Sequence, residues 1–328
     1  MRAKTHWLYL LWFLTLPGYA EITVYIPLGS ANSVIAVDAA TDTVTATISG
    51  VDNPHGLVAT PDGEYLIAGS LKESPPPPDN PDGPTSNLFL IHPAHHHVMR
   101  TIPVWGWTHH QAITPDGRYV LSTHATRSNV SVVDLQTNKV VHTIATGPAP
   151  NYVIVTKDGK RAFVTNTGDG TISELDPAAG KTLRTLDAGP TPEHMVLSED
   201  EKKLYVANTG AGTVSVVSVA SGKVVKRYEL GQDLHGLDIG DDGKTLFVSS
   251  KKDEKLYAVN TDTGKINSIA LAPAPYHLNT ISGTGKVYVS SRKSPEIWVV
   301  EQKSLKVINT IKLPDGKGEG HQMAIVRE

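Results

Sequence analysis

An Asp-Gly turn, or its Asp-Glu equivalent, recurs at Asp116, Asp158, Asp200 and Asp242, each 42 residues after the last. That period constrains the fold more than any other feature, because a tandem unit must bury itself against copies of itself. After each turn comes an alternating apolar segment: Tyr119-Val120-Leu121, Ala162-Phe163-Val164, Leu204-Tyr205-Val206 and Leu246-Phe247-Val248. A short polar turn and a third strand such as TVSVVSV or KLYAVNT follow. A Gly-Lys or Asn-Lys hairpin then leads into KVVHTI, KTLRTL, KVVKRY or KINSIA, a fourth strand. Four short strands in roughly 40 to 45 residues predict a β-propeller blade, and no amphipathic helical stretch competes with that reading.

Units begin near Asn53, Trp107, Pro150, Pro192, Asp233 and Pro275, and one more is assembled from both ends of the chain. There GHQMAIVRE supplies the innermost strand and TVYIPLG, NSVIAVD and TVTATI the others. The expectation is an all-β, seven-bladed propeller over residues 21–328, closed by pairing of N- and C-terminal strands so that no sheet edge stays open at the seam. One irregularity, KESPPPPDNPDGPTS at residues 72–86, lengthens the second blade. It reads as an extended surface loop, with a lid or partner-docking segment as the alternative. Stretches such as AFVTNTGDGTISELDPAAGKTLRTL and LYVANTGAGTVSVVSVASGKVV resemble the YVTN-type propeller repeats of exported bacterial and archaeal proteins. The resemblance implies the fold and is nearly silent on function, since the same repeat serves enzymes and scaffolds.

The first twenty residues combine Arg2 and Lys4 with an apolar run from Trp7 to about Leu16, then Pro17 and Gly18-Tyr19-Ala20. This pattern predicts a signal peptide cleaved near Ala20, and hence a periplasmic or secreted protein without a membrane span. The sequence has no cysteine, which removes disulfides, thiolate metal sites and covalent c-type haem attachment. Any metal must be held by nitrogen or oxygen. The net charge of −3, with no basic stripe, argues against a nucleic-acid partner.

Six of the seven units carry histidine six to seven residues before the turn, one of them twice: His55, His109-His110, His194, His235, His277 and His321. Fourteen histidines scattered over 328 residues would place about 0.6 at two positions in seven blades, so these seven need a cause. In a propeller they open the innermost strands and converge on one mouth of the central channel. Two registers are present, with His55, His109 and His235 in one and His110, His194 and His321 in the other. Strict alternation would aim only one register inward, unless neighbouring glycines and prolines bend the chain. Neutral imidazoles without a compensating acid make a poor structural core, whereas imidazole suits copper, zinc, iron or nickel. A polar channel for a small organic ligand and incidental histidines are the alternatives.

A double histidine followed by single histidines from successive blades resembles the propeller domain of nitrous oxide reductase and is similar to thiocyanate dehydrogenase. The resemblance implies a copper centre held by His55, His109, His110, His194, His235, His277 and His321, with redox chemistry on a small molecule. Without a cupredoxin segment or cysteine in the chain, it also implies a separate electron-transfer protein. A second resemblance, to exported propellers that bind haem d1, implies a macrocycle at the channel mouth held by few histidines and several cations. Arg127, Lys251 and Arg292 follow second strands and could serve there, and His124 could contact cofactor or substrate. The remaining reading is non-catalytic: a metal carrier or an interaction scaffold. His95, His96 and His97, on the outer hairpin of the second blade, read as a solvated turn or a metal-loading patch. Trp105 and Trp107 could shield the site or pack between blades.

Overall fold

The computed structural model describes residues 21–327, so the predicted signal peptide lies outside the described residues. The chain forms seven four-stranded antiparallel sheets. In the first blade Ala324–Arg327 pairs with Ile22–Leu28, followed outward by Ser33–Asp38 and Thr43–Ser49. Tyr25 lies opposite Ala324 and Thr23 opposite Val326, so the last strand of the chain seals the blade begun by the first. The other six blades run in chain order from innermost strands Pro54–Ala59, Gln111–Ile113, Pro150–Val155, Pro192–Leu197, Leu234–Ile239 and Pro275–Ile281. No helix among the described residues is long and apolar enough to cross a membrane.

The repeated turn has a repeated cause. The hydroxyls of Thr60, Thr114, Thr156 and Ser198 donate to Asp62, Asp116, Asp158 and Asp200, at 2.5 to 2.7 Å. Each carboxylate also accepts the backbone N–H two residues on, from Glu64, Arg118, Lys160 or Lys202. Asp and a hydroxyl therefore build the turn together. The next residue must take a left-handed conformation, which Gly63, Gly117 and Gly159 adopt freely and Glu201 adopts at φ 56°.

Seven hydrophobic clusters fill the seven interfaces between neighbouring blades. At the seam, Val24, Ile26, Ile35 and Val37 pack on Tyr288, Ile297, Val299 and Ile311 of the seventh blade. Inner and middle strands are buried on both faces, while outermost strands such as Lys181–Asp187 show one buried residue in seven. The stability is therefore distributed around a ring, and the channel side is left free to carry polar side chains. The proline-rich segment is tied down rather than loose: Trp105 donates from Nε1 to the Asp82 carbonyl at 2.7 Å, and Glu73 accepts from Thr85 and Arg127.

Candidate metal centre

The inner strands do not alternate where the histidines sit. A β-bulge interrupts pairing between Pro54 and Leu57, Pro150 and Val153, Pro192 and Met195, Leu234 and Leu237, and Pro275 and Leu278. Two consecutive residues fall inside each bulge: His55-Gly56, Asn151-Tyr152, Glu193-His194, His235-Gly236 and Tyr276-His277. A bulge re-aims side chains that strict alternation would send to opposite faces, so both registers meet in the channel. His109-His110 occupy the same place just before Gln111–Ile113, with His109 N–H donating to the Thr123 carbonyl and Thr123 N–H to that of His110. His321 follows Gly320, which bridges to Leu28. It therefore belongs with His55, His109 and His235, not with His110 and His194 as the spacing suggested; His277 joins the latter pair.

Hydroxyls on the second strands fix the bulges. Thr123, Thr165 and Ser249 accept the N–H of His110, Tyr152 and Gly236 within their own blades. Each then donates to a carbonyl of the next blade: Asn151 at 2.7 Å, Glu193 at 2.7 Å, and Tyr276. One hydroxyl thus satisfies a donor freed by the bulge and ties the bulge to its neighbour.

The result is a compact imidazole cluster. The His55 ring centre lies 4.2 Å from that of His321, 4.5 Å from His109, 4.9 Å from His110 and 5.2 Å from His277. His194 lies 4.9 Å from His110, 4.7 Å from His277 and 4.5 Å from His235. Three triads have one ligand atom per residue within 4.8 Å of one another: His55-His277-His321, His55-His109-His110 and His110-His194-His277. His55, His110 and His277 are each shared by two triads. His235 stands at the edge, its Nε2 3.3 Å from that of His277 and its Nδ1 2.6 Å from the Glu193 carboxylate.

Buried ring nitrogens without a partner mark five of these residues: both nitrogens of His55, Nδ1 of His109 and His321, and Nε2 of His110 and His194. Buried polar atoms are normally paired, so their concentration in one cluster leaves a set of lone pairs open to a metal. Burial pushes all seven rings below the usual histidine range, His109 to about 4, with the charge of neighbouring imidazoles adding to the shift for most of them. The rings are therefore neutral at pH 7, with lone pairs free to coordinate. Nδ1–H of His110 donates to the Asn151 carbonyl at 3.2 Å, which leaves Nε2 as the free donor atom.

Acids do compensate part of the ring, contrary to the expectation from sequence. Glu193 holds His235, and Glu319 lies 3.7 Å from His321 while also accepting from Ser30 and Arg292. Those three neighbours, with His321 the largest influence, hold the Glu319 carboxyl at about 2. Two tyrosines complete the wall. Tyr152 stacks on His194 at 4.5 Å, and Tyr276 stacks on His235 at 4.2 Å. Sequence reasoning missed Glu193, Glu319, Tyr152 and Tyr276, although Glu193, Tyr152 and Tyr276 stand at the same repeat positions as the histidines.

The other predicted contacts are placed differently. Lys251 pairs with Asp233 at 3.1 Å and Arg292 with Glu319 at 2.7 Å, and both lie over the Tyr276 ring, at 5.5 and 5.2 Å. These two cations thus stand at the rim of the cluster. Arg127 pairs with Glu73 of the proline-rich segment at 2.9 Å. Trp107 stacks on His109 at 5.8 Å, whereas Trp105 is turned outward. His124 is buried with both nitrogens engaged, Nδ1 at the Gly106 and Trp107 carbonyls and Nε2 2.8 Å from the Ser131 hydroxyl. It offers no free donor atom.

Burial lowers His124 to about 4. Its unfolded counterpart titrates near 6.5, so folding stability is full above that pH and falls as the pH drops towards 4, by about 2 kcal/mol at pH 5. Chemical denaturation of metal-free protein between pH 7 and 5 is expected to show a shallower acid loss in His124→Gln than in the native chain. Equal slopes would contradict the assignment.

The model of the family described as outer membrane protein assembly factor BamB matches residues 30–309. No curated protein sequence matches the chain. Among solved structures, hydrazine synthase of Kuenenia stuttgartiensis is similar over 84% of this chain and 95% of that one, at 19% identity and a TM-score of 0.69. Dihydro-haem d1 dehydrogenase NirN, in complex with DHE, is similar over 94% of this chain and 68% of that one, at 17% identity and a TM-score of 0.68. A protein from Desulfotomaculum acetoxidans matches over 93% and 98% at 14% identity, with a TM-score of 0.74. At these identities the likenesses speak for the fold alone. With the family match spanning most of the blades, the chain belongs to the BamB-like β-propeller family.

Proposed function

We propose that this chain is an exported propeller that holds a small transition-metal cluster, copper by its donor set, and performs redox chemistry on a small molecule. The observation that carries the reading is the sharing of corners: three histidine triads built on His55, His110 and His277, lined by unpaired buried nitrogens. All-imidazole coordination without thiolate suits a late first-row metal, and copper heads the affinity order among them. Bound copper supplies Lewis acidity and electron exchange at open coordination positions.

The chain's own residues have separable tasks. Glu193 and the Asn151 carbonyl hold the Nδ1 protons of His235 and His110, presenting Nε2 to the channel. Lys251 and Arg292, at the rim beside Tyr276, orient an anionic small molecule. Trp107 and the two tyrosines keep bulk water from the rings. Electrons pass to or from a separate protein, and nucleic acid has no role. Cleavage near Ala20 delivers the chain to the periplasm or beyond, in keeping with the outer-membrane task in the family's name.

A second reading, a haem d1-type macrocycle above the cluster, is favoured by one neighbour's being a dihydro-haem d1 dehydrogenase and by the rim cations. Against it, the channel is lined by seven histidines where a macrocycle needs one or two. A metal carrier is the non-catalytic version of the first reading.

Elemental mass spectrometry on protein exported with copper supplied decides among them. Copper at one or more equivalents per chain, diminished in His109→Ala/His110→Ala, which dismantles two of the three triads, is the expected result. Metal-free native protein that takes up a macrocycle with a Soret band transfers the site to the second reading. Copper that neither exchanges electrons with a reductant nor accepts an added anion identifies a carrier.

A further inference from the structure

The outer hairpin of the second blade gathers histidines that the channel does not use. His92 ends one strand, Ser86–His92, and His97 begins the next, and the two are paired directly across the hairpin. Between them the chain makes a single 3₁₀ turn, Pro93–His95, followed by His96 in the left-handed conformation at φ 53°. That turn folds His95 back over the pair. Ring centres of His92 and His95 lie 4.4 Å apart, His95 and His97 6.0 Å, and His92 and His97 6.4 Å. His96, which the sequence grouped with His95 and His97, makes no ring contact with the three among the described residues.

We propose that His92, His95 and His97 form a second transition-metal site, exchangeable and separate from the channel cluster. An imidazole nitrogen binds such an ion at about 2.0 to 2.1 Å, which puts ring centres sharing one ion about 4.5 to 6.5 Å apart. Two of the separations, 6.0 and 6.4 Å, fall in that window, and the third, 4.4 Å, lies at its lower edge. Nδ1 of His92 is buried and has no hydrogen-bond partner, the state of a donor atom awaiting a ligand. Tyr65 meets the His92 ring edge-on at 5.8 Å and limits its swing. Nδ1–H of His97 donates to the His95 carbonyl at 3.3 Å, which leaves Nε2 for the ion. His95 and His97 are exposed, so their rings rotate to complete the set at little cost.

Three neutral nitrogen donors with no carboxylate select a borderline divalent cation, Cu²⁺, Ni²⁺ or Zn²⁺, over Mg²⁺ or Ca²⁺. A tetrahedral ion held by three imidazoles keeps one position for water or a donor from another molecule, the form of an open site rather than a structural one. The hairpin joins the third and fourth strands of its blade, at the outer edge of the ring, whereas the channel cluster hangs from innermost strands. The two sites therefore load independently.

Zn²⁺ titration by isothermal calorimetry on the full chain tests the proposal, comparing the native protein with His95→Ala/His97→Ala. Both substituted residues are exposed, His95 in the turn and His97 at the first position of a strand, so thermal unfolding of the metal-free variant is expected to match the native curve. The expected result is one Zn²⁺ per chain fewer, or at least tenfold weaker binding at one site. The same pair placed on His109→Ala/His110→Ala separates this site from the channel: that channel variant should keep the hairpin ion and lose it only when the hairpin is also substituted. Unchanged stoichiometry and affinity on removing His95 and His97 would overturn the proposal and leave the channel reading standing. Retention of the hairpin ion in a protein whose channel takes no metal would do the reverse.

Discussion

Replacing His277 with alanine is expected to remove more of the channel metal than replacing His194. The asymmetry follows from geometry. His277 belongs to His55-His277-His321 and to His110-His194-His277, while His194 belongs only to the latter. Two imidazoles rarely hold an exchangeable ion as well as three, so losing a shared corner weakens two candidate positions at once. His55→Ala, which removes a ring with both nitrogens free, should behave like His277→Ala, whereas His110→Ala, with Nε2 its one free nitrogen, should behave with His109→Ala and His321→Ala like His194→Ala. The metal-free variants need not be less stable. His55 buries two unpaired nitrogens, and their removal offsets part of the cavity left behind. Metal content per chain measured across the six variants checks the pattern. Equal losses at shared and unshared corners would exclude three linked sites and favour one ion or one larger group bound by the whole ring.

Gly236→Ala is expected to be the most damaging single substitution on the channel wall, destabilising the fold by about 3 kcal/mol. A Cβ at Gly236 would lie 2.5 Å from the Tyr276 carbonyl oxygen and 2.7 Å from the Leu278 nitrogen. Both are backbone atoms of the next innermost strand, so neither can swing aside. The blades must part at the point where His235, Tyr276 and His277 meet, and metal binding should weaken with stability. Gly50→Ala provides the contrast. Gly50 sits at φ 85° with nothing within 4 Å of its Cβ position, so alanine there bears only a conformational cost of about 1 kcal/mol. Urea denaturation midpoints and metal content of the two variants check the prediction. A loss at Gly236 no greater than at Gly50 would show that the wall yields more easily than close packing implies.

Much of the architecture was legible in the chain because it is periodic. The 42-residue spacing of Asp116, Asp158, Asp200 and Asp242 reports a turn that Asp and a neighbouring hydroxyl build locally, and alternating segments report strands buried at blade interfaces. Closure of the ring by Ala324–Arg327 was legible for the same reason, since a lone inner strand at one end complements three strands at the other. The candidate ligands could be picked out because position within a repeat translates directly into position around the channel.

What escaped the sequence depends on where atoms meet. The bulges that turn both registers inward, and place His321 with His55, arise from pairing between strands and from hydroxyls of Thr123, Thr165 and Ser249. The acids at His235 and His321 come from a neighbouring blade and from two residues upstream, and nothing in Glu193 or Glu319 alone marks them as partners. His124 looked available and is instead held at both nitrogens by the Gly106, Trp107 and Ser131 positions. Local periodicity thus determined the fold and which histidines stand at equivalent repeat positions, because strand and turn formation are local. Only the tertiary structure decided which nitrogens remain free and which residues share a corner, because those are set by contacts between blades far apart in the chain.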